Sequence, residues 1–254
     1  MRLTKYTAAA LCFCILAACG PRGPRLDTLE ADPLFERGIE ALRSEKWSQA
    51  IEAFERFALV FASHPRAAEA RYRLAEAFMG REEYVTAAME FNRLANDFPA
   101  GPWADDARHM VCVAYYELSP PTDLDQQYTR SAIDHCQSLI TYYPDSEHVA
   151  KARERIEELT NRLAEKEFNT ADFYFRKQAY DSSIIYFQTA VRDFPQTVWA
   201  PRALARLHEA YVILKYQDEA QQARDRLLKE YPDSPEAKRL GAAVPTDTVR
   251  VGGF

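Results

Sequence analysis

The residues of this 254-residue chain that could do chemistry are its five histidines, its five cysteines and adjacent carboxylates such as Glu82-Glu83 and Glu157-Glu158. His64, His109, His135, His148 and His208 are scattered. No two of them show the His-Glu-x-x-His spacing that puts two imidazoles on one helical face for a metal. Each reads as a packed or hydrogen-bonded structural residue. Glu82-Glu83 and Glu157-Glu158 are sequence neighbours; on a helix they point apart, so neither makes an acid–base pair. Neither a G-x-S-x-G nor an S-x-x-K nucleophile motif occurs. Between residues 31 and 235 the glycines are Gly38, Gly80 and Gly101, too dispersed to cradle a phosphate. The expectation is no catalytic residue, no metal ligand and no cofactor.

Cys19 is different. Arg2 and Lys5 precede an apolar run from Ala8 to Ala18 that closes as Leu16-Ala17-Ala18-Cys19. The run is too short to span a bilayer but suits the apolar region of a signal peptide, and its end resembles a bacterial lipobox. The resemblance implies cleavage after residue 18 and acylation of the Cys19 thiol and α-amino group. With ~0.8 kcal/mol for each buried CH₂, several acyl chains hold a protein on a membrane. Gly20, where an inner-membrane retention signal would carry Asp, points to the periplasmic face of the outer membrane. Residues 19–30, with Gly20-Pro21-Arg22-Gly23-Pro24-Arg25, read as a flexible lipid-anchored linker. Loss of Arg2 and Lys5 leaves a formal charge of −8, and no Lys/Arg block offers a nucleic-acid patch. Cys112 and Cys136 remain in an oxidising compartment. A bridge is open to them, but both lie on apolar helical faces where buried free thiols are common.

The elements that carry these residues follow from a repeat. Five segments end in an apolar or aromatic residue and a proline, at Pro65, Pro99, Pro144, Pro195 and Pro232. Ala75 is followed by Tyr84, Ala87, Phe91 and Pro99, and the same offsets recur as Ala171, Tyr180, Ser183, Phe187 and Pro195. Gly38, Trp47, Ala50 and Phe54 repeat them with a late proline. Cys112, Thr129, Ala132, Cys136 and Pro144 repeat them after an eight-residue insertion, and His208 to Pro232 is a degenerate copy. Each unit is two amphipathic helices around a polar turn near 43–46, 80–83 or 177–179. A small pair allows close approach, an aromatic plugs the hairpin, and the proline stops the second helix. A period near 34 with this pattern is similar to the tetratricopeptide repeat. The fold expected is an all-α superhelix of about five hairpins with one long linking helix over 146–178. The domains expected are a signal at 1–18, the linker at 19–30, three repeats at 31–145, the long helix with two repeats at 146–240, and a flexible tail at 241–254. Ser119-Pro120-Pro121-Thr122-Asp123-Leu124 should project from the third hairpin.

Carrying the register across first helices puts Phe35, Ile39, Leu42, Tyr72, Glu76, Met79, His109, Val113 and Tyr116 on an inner strip. Such a strip is core or a groove for an extended peptide with aromatic side chains, Arg43 and Arg73 lying at its rim. The corresponding C-terminal positions, Phe168, Asp172, Phe175, Arg176, Arg202, Ala205, Glu209 and Val212, mix charge with aromatics and suit docking of a folded partner.

Lipobox, repeats, insertion and long helix together, including WSQAIEAFERFALVFASHPRAAEARYRLAEAFM and YYPDSEHVAKARERI, resemble the BamD (ComL-like) family of outer-membrane assembly lipoproteins along the mature chain. The resemblance implies a non-enzymatic scaffold for inserting β-barrels. Its C-terminal half would bind the POTRA domains of a BamA-like barrel subunit, alongside other assembly lipoproteins. Its N-terminal repeats would receive C-termini of unfolded outer-membrane proteins. Only Cys19 carries over as a functional residue. Two other anchored roles stay open: a pilus-secretin pilotin or Tol-associated cell-division factor, and a peptidoglycan-active or peptidoglycan-binding lipoprotein.

Overall fold

A computed structural model describes residues 25–242. The signal segment, Cys19, most of the linker and the tail from 243 onward lie outside the described residues. Among those described there are helices and no strand: α1 (Ala31–Arg43), α2 (Trp47–Val60), α3 (Ala67–Gly80), α4 (Tyr84–Asp97), α5 (Ala104–Glu117), α6 (Gln127–Tyr142), α7 (Val149–Arg176), α8 (Tyr180–Asp193), α9 (Trp199–Leu214), α10 (Gln217–Glu230) and α11 (Pro235–Ala242), after a 3-10 turn at Leu26–Thr28. The architecture is all-α and built from tetratricopeptide-type hairpins. The long helix α7 covers 149–176, inside the expected 146–178. Helix α11 follows the last repeat and reaches into the segment expected to be tail.

Two turns recur. Within hairpins, Glu45, Glu82, Gln178 and Lys215 adopt left-handed backbone with φ of 54°, 61°, 62° and 63°. The following N–H then reaches back five residues, Lys46 to Ala41 O, Glu83 to Phe78 O, Ala179 to Tyr174 O and Tyr216 to Tyr211 O, at 2.9–3.0 Å. That closure satisfies carbonyls left over at the end of a helix. Between hairpins, the carbonyls of Phe61, Phe98, Tyr143, Phe194 and Tyr231 accept from the N–H three residues on. Ala62 therefore takes the place that Pro99 holds in the second copy, which explains the late Pro65.

Contacts divide the chain into two compact units, at Ala104/Asp105. The third hairpin thus groups with the long helix, whereas the repeat had placed the division after residue 145. In the first unit α1/α2 and α3/α4 are hairpins, and α2 packs on α3. Phe35, Phe54, Phe57 and Phe91 are fully buried, each contributing about 1.5–3 kcal/mol from burial. Arg56 donates to Asp27 O at 2.9 Å, pinning the N-terminal turn on α2.

In the second unit α7 packs on α6 and α8, and α9 on α8 and α10. Cys112 and Cys136 form a disulfide with Cα atoms 4.7 Å apart. The bridge that the sequence left open is formed: Cys112 takes the small-residue slot of the first helix and Cys136 the slot that Phe54, Phe91 and Phe187 fill in other hairpins, and their close approach is within bridging distance. The third hairpin's insertion does not project. Arg162 donates to Ser119 O and Pro120 O, and Lys166 to Thr122 O and Leu124 O. Buried Gln126 closes the loop through Pro121 O and Leu124 O.

Candidate docking sites

The residues expected to dock a partner converge in the second unit. Phe168, Asp172 and Phe175 recur at four and three residues on α7, and Arg202, Arg206 and Glu209 do so on α9, so each set shares one helical face. Arg206 links the helices: its guanidinium donates to Asp172 at 3.1 Å and Glu209 at 2.8 Å and lies 4.8 Å from the Phe175 ring centre. Asp172 also pairs with Arg176 at 3.1 Å. Arg202 sits 4.7 Å over Trp199 and 3.9 Å from Glu236 of α11. Phe168 packs against Trp199 and Phe187. Phe168, Arg202, Arg206, Glu209, Glu236 and Arg239 line a cavity of about 270 Å³. The result is an aromatic floor under a rim of paired charges. Arg206 was missed although it lies one turn from Arg202 on the same face. Glu236 and Arg239 lay beyond the last repeat, where no register pointed to them.

The inner strip fares unevenly. Phe35 is fully buried, edge-on to Phe54 and Phe57, with the Arg66 guanidinium 3.4 Å above its ring centre. It is a core residue. Tyr72 retains 9% of its surface and packs on Phe91 and Trp103, so it too belongs to the core. Ile39, Leu42 and Met79 stay partly exposed, and Arg43 is exposed. Arg73 lies 5.1 Å over Trp103 and pairs with Glu76 at 2.7 Å and Glu69 at 3.8 Å. Trp103, which nothing in the repeat marked, completes this partly apolar face.

His109 and Tyr116 belong to a seam between α5 and α7. The His109 and His148 rings stack at 4.0 Å, and His148 Nε2 donates to Asp106 at 2.8 Å. Burial, then the neighbouring His148 and Arg155, pull the His109 pKa from 6.5 down to about 4. Tyr116 donates to Glu158 at 2.8 Å, and that bond, with burial, raises its phenol pKa. Arg155 lies 5.5 Å over the Tyr116 ring.

Among the described residues no group of three or more His, Cys, Asp or Glu is arranged to hold a metal ion, and no helix is long and apolar enough to cross a membrane. The sequence profile of the YfiO family, described as outer membrane lipoprotein, matches residues 28–227. The chain belongs to the YfiO family. Among similar proteins, the outer membrane protein assembly factor BamD of Rickettsia prowazekii is 27% identical over 239 residues, 92% of this chain and 94% of that one. The protein of the same name from Caulobacter vibrioides is 24% identical over 221 residues, 84% and 71% of the two chains. Among solved structures, a TPR repeats protein of Bacteroides fragilis is similar with a TM-score of 0.47 at 14% identity, over 85% of this chain and 97% of that one. The YfiO match spans the first four hairpins and stops within α10 of the fifth, so both candidate docking sites except their α11 residues lie inside it.

Proposed function

We propose that this YfiO-family chain is a non-enzymatic lipoprotein scaffold for the assembly and insertion of outer-membrane β-barrels. The observation that carries the reading is the likeness, along 92% of the chain, to a protein named as an outer membrane protein assembly factor. Residues 1–18 are the signal, Cys19 bears the lipid, and the chain works at the periplasmic face of the outer membrane. Residues 31–145 form the N-terminal repeats and 146–240 the C-terminal part. The Phe168–Arg202–Glu209 face of the second unit docks the POTRA region of a BamA-like barrel subunit within a complex containing other lipoproteins. The face of the first unit around Ile39, Leu42, Met79 and Arg73 receives C-terminal segments of unfolded outer-membrane proteins. An aromatic floor under arginine suits an aromatic side chain beside a carboxylate.

The test is depletion of the chain in its host combined with a pull-down from detergent-solubilised envelope. Falling β-barrel levels and recovery of a POTRA-bearing barrel support the proposal. Unchanged barrels with recovery of a secretin or a Tol partner instead would sink it.

A further inference from the structure

The second unit holds another concave surface, on the far side of Trp199 from the docking cavity's Arg202. Its volume is about 670 Å³, and Ser119, Pro121, Glu158, Arg162, Glu165 and Trp199 line it. The floor is α7. One wall is the inserted loop, strapped down by Arg162 and Lys166. The other is the turn before α9, where the Val198 N–H donates to Asn161 Oδ1 at 3.3 Å.

The ion pairing in this groove is unbalanced. Arg162 is the cation in the lining, and its Nη1 and Nη2 donate to Ser119 O, Pro120 O and Glu158. The Asn161 amide N–H donates to Glu157 O. Glu158 already accepts from Tyr116 and Arg162. Glu165, half-buried and seven residues further along the same face of α7, has no ion-pair partner among the described residues. Pro120 and Pro121 carry no N–H. The groove therefore offers a free carboxylate, Glu165, while its lining cation is already engaged. Beside Glu165 lies an apolar step, half-buried Trp199 next to Val198, which is 59% exposed.

The geometry points to this groove as a binding site for an extended segment of a partner polypeptide. That segment places a Lys or Arg side chain on Glu165 and an adjacent apolar side chain on Trp199 and Val198. A basic head donates to the unpaired Glu165 carboxylate, and its charge complements a mature chain of net charge −8. An acidic segment would meet uncompensated repulsion in a half-buried site. The site is independent of the barrel-assembly reading, because it follows from the groove's own charge.

The probe is a fluorescein-labelled peptide, Ser-Leu-Arg-Val-Arg-Ser, compared with its Glu-for-Arg counterpart by anisotropy against the mature protein at low ionic strength. The Arg peptide is expected to bind at least tenfold more tightly. Glu165→Lys should weaken it at least fivefold, and Glu165→Gln by a smaller factor. Asp225→Lys, the same charge change on exposed α10, should leave it within twofold. Circular dichroism melts confirm that each variant folds. Equal affinity for the two peptides, equal loss in the Asp225 variant, no loss in either Glu165 variant, or no measurable binding at millimolar peptide overturns the assignment.

Discussion

Gly38 faces the ring of Phe54 across the first hairpin, and a Cβ there would fall 2.6 Å from Cζ and 2.8 Å from both Cε atoms. The ring is fully buried and edge-on to Phe35, so it has nowhere to go. Gly38→Ala should cost about 1–2 kcal/mol after any gain in helix propensity, read as a lower urea midpoint. Gly241→Ala, whose nearest neighbour is the Leu228 side chain at 3.6 Å, is the matched control and should be neutral or slightly stabilising. His109 sets a different residue-scale expectation. Its pKa is about 4 when folded against 6.5 ordinarily, so between those values the unfolded chain binds more protons. Stability present above pH 6.5 is lost as pH falls towards 4, by about 1–2 kcal/mol once solvent screening of a half-exposed ring is allowed for. His109→Gln should flatten that slope in urea titrations across the range, and an unchanged slope would assign it to other groups. The stack of His109 on His148 joins residues 39 positions apart, and no local spacing encodes it. Phe35 shows the converse: three- and four-residue periodicity marks a face as apolar without saying whether the next helix covers it.

Four of the five hairpins close through one left-handed residue, at Glu45, Glu82, Gln178 or Lys215, none of them glycine. A β-carbon in that region carries a penalty of roughly 1 kcal/mol that glycine avoids. Gln178→Gly should therefore raise stability by about 0.5–1 kcal/mol, measured as a shift in thermal midpoint; a fall would mean the side chain makes a compensating contact. The third hairpin lacks this turn and is closed instead by the disulfide and the strapped insertion. The Cys112–Cys136 bridge spans 24 residues, so reduction, or Cys112→Ala with Cys136→Ala, should remove about 3 kcal/mol from the second unit. Hydrogen exchange should locate the loss in α5 and α6, leaving α1 to α4 unchanged. Hairpins, turns and the long helix were legible because each rests on local periodicity, small-residue slots and breakers. The register even contained the signal for the bridge, since the offset that sets Gly38 against Phe54 sets Cys112 against Cys136 once the eight-residue insertion is counted. The path of Ser119–Leu124 was not legible. Prolines show where a helix breaks, whereas the anchoring donors Arg162 and Lys166 lie some forty residues downstream on another element.

At the scale of the molecule, tethering and docking are carried by different parts of the chain and should separate experimentally. If Cys19 bears the lipid, Cys19→Ser should release the protein from the envelope without detergent, while the detached chain still captures its partner in a detergent extract. The docking face should behave the opposite way. Arg202 is 46% exposed at its side chain and its contact with Glu236 is long, at 3.9 Å, so the ion pair adds little to stability. Arg202→Glu should thus melt within a few degrees of the unaltered protein. It also places a second carboxylate beside Glu236 in a cavity that Glu209 already lines. A partner whose acidic groups met Arg202 would then face three carboxylates, and recovery of the POTRA-bearing subunit in the pull-down should fall at least tenfold. Membrane retention should stay intact, because nothing in α9 bears on the anchor. Arg206 cannot serve for this test: its two ion pairs and its place over Phe175 hold α7 to α9, so its loss would confuse folding with docking. Unaltered recovery with Arg202→Glu, in protein that still melts cooperatively, would remove the Phe168–Arg202–Glu209 face from the assembly proposal and leave the tether standing alone.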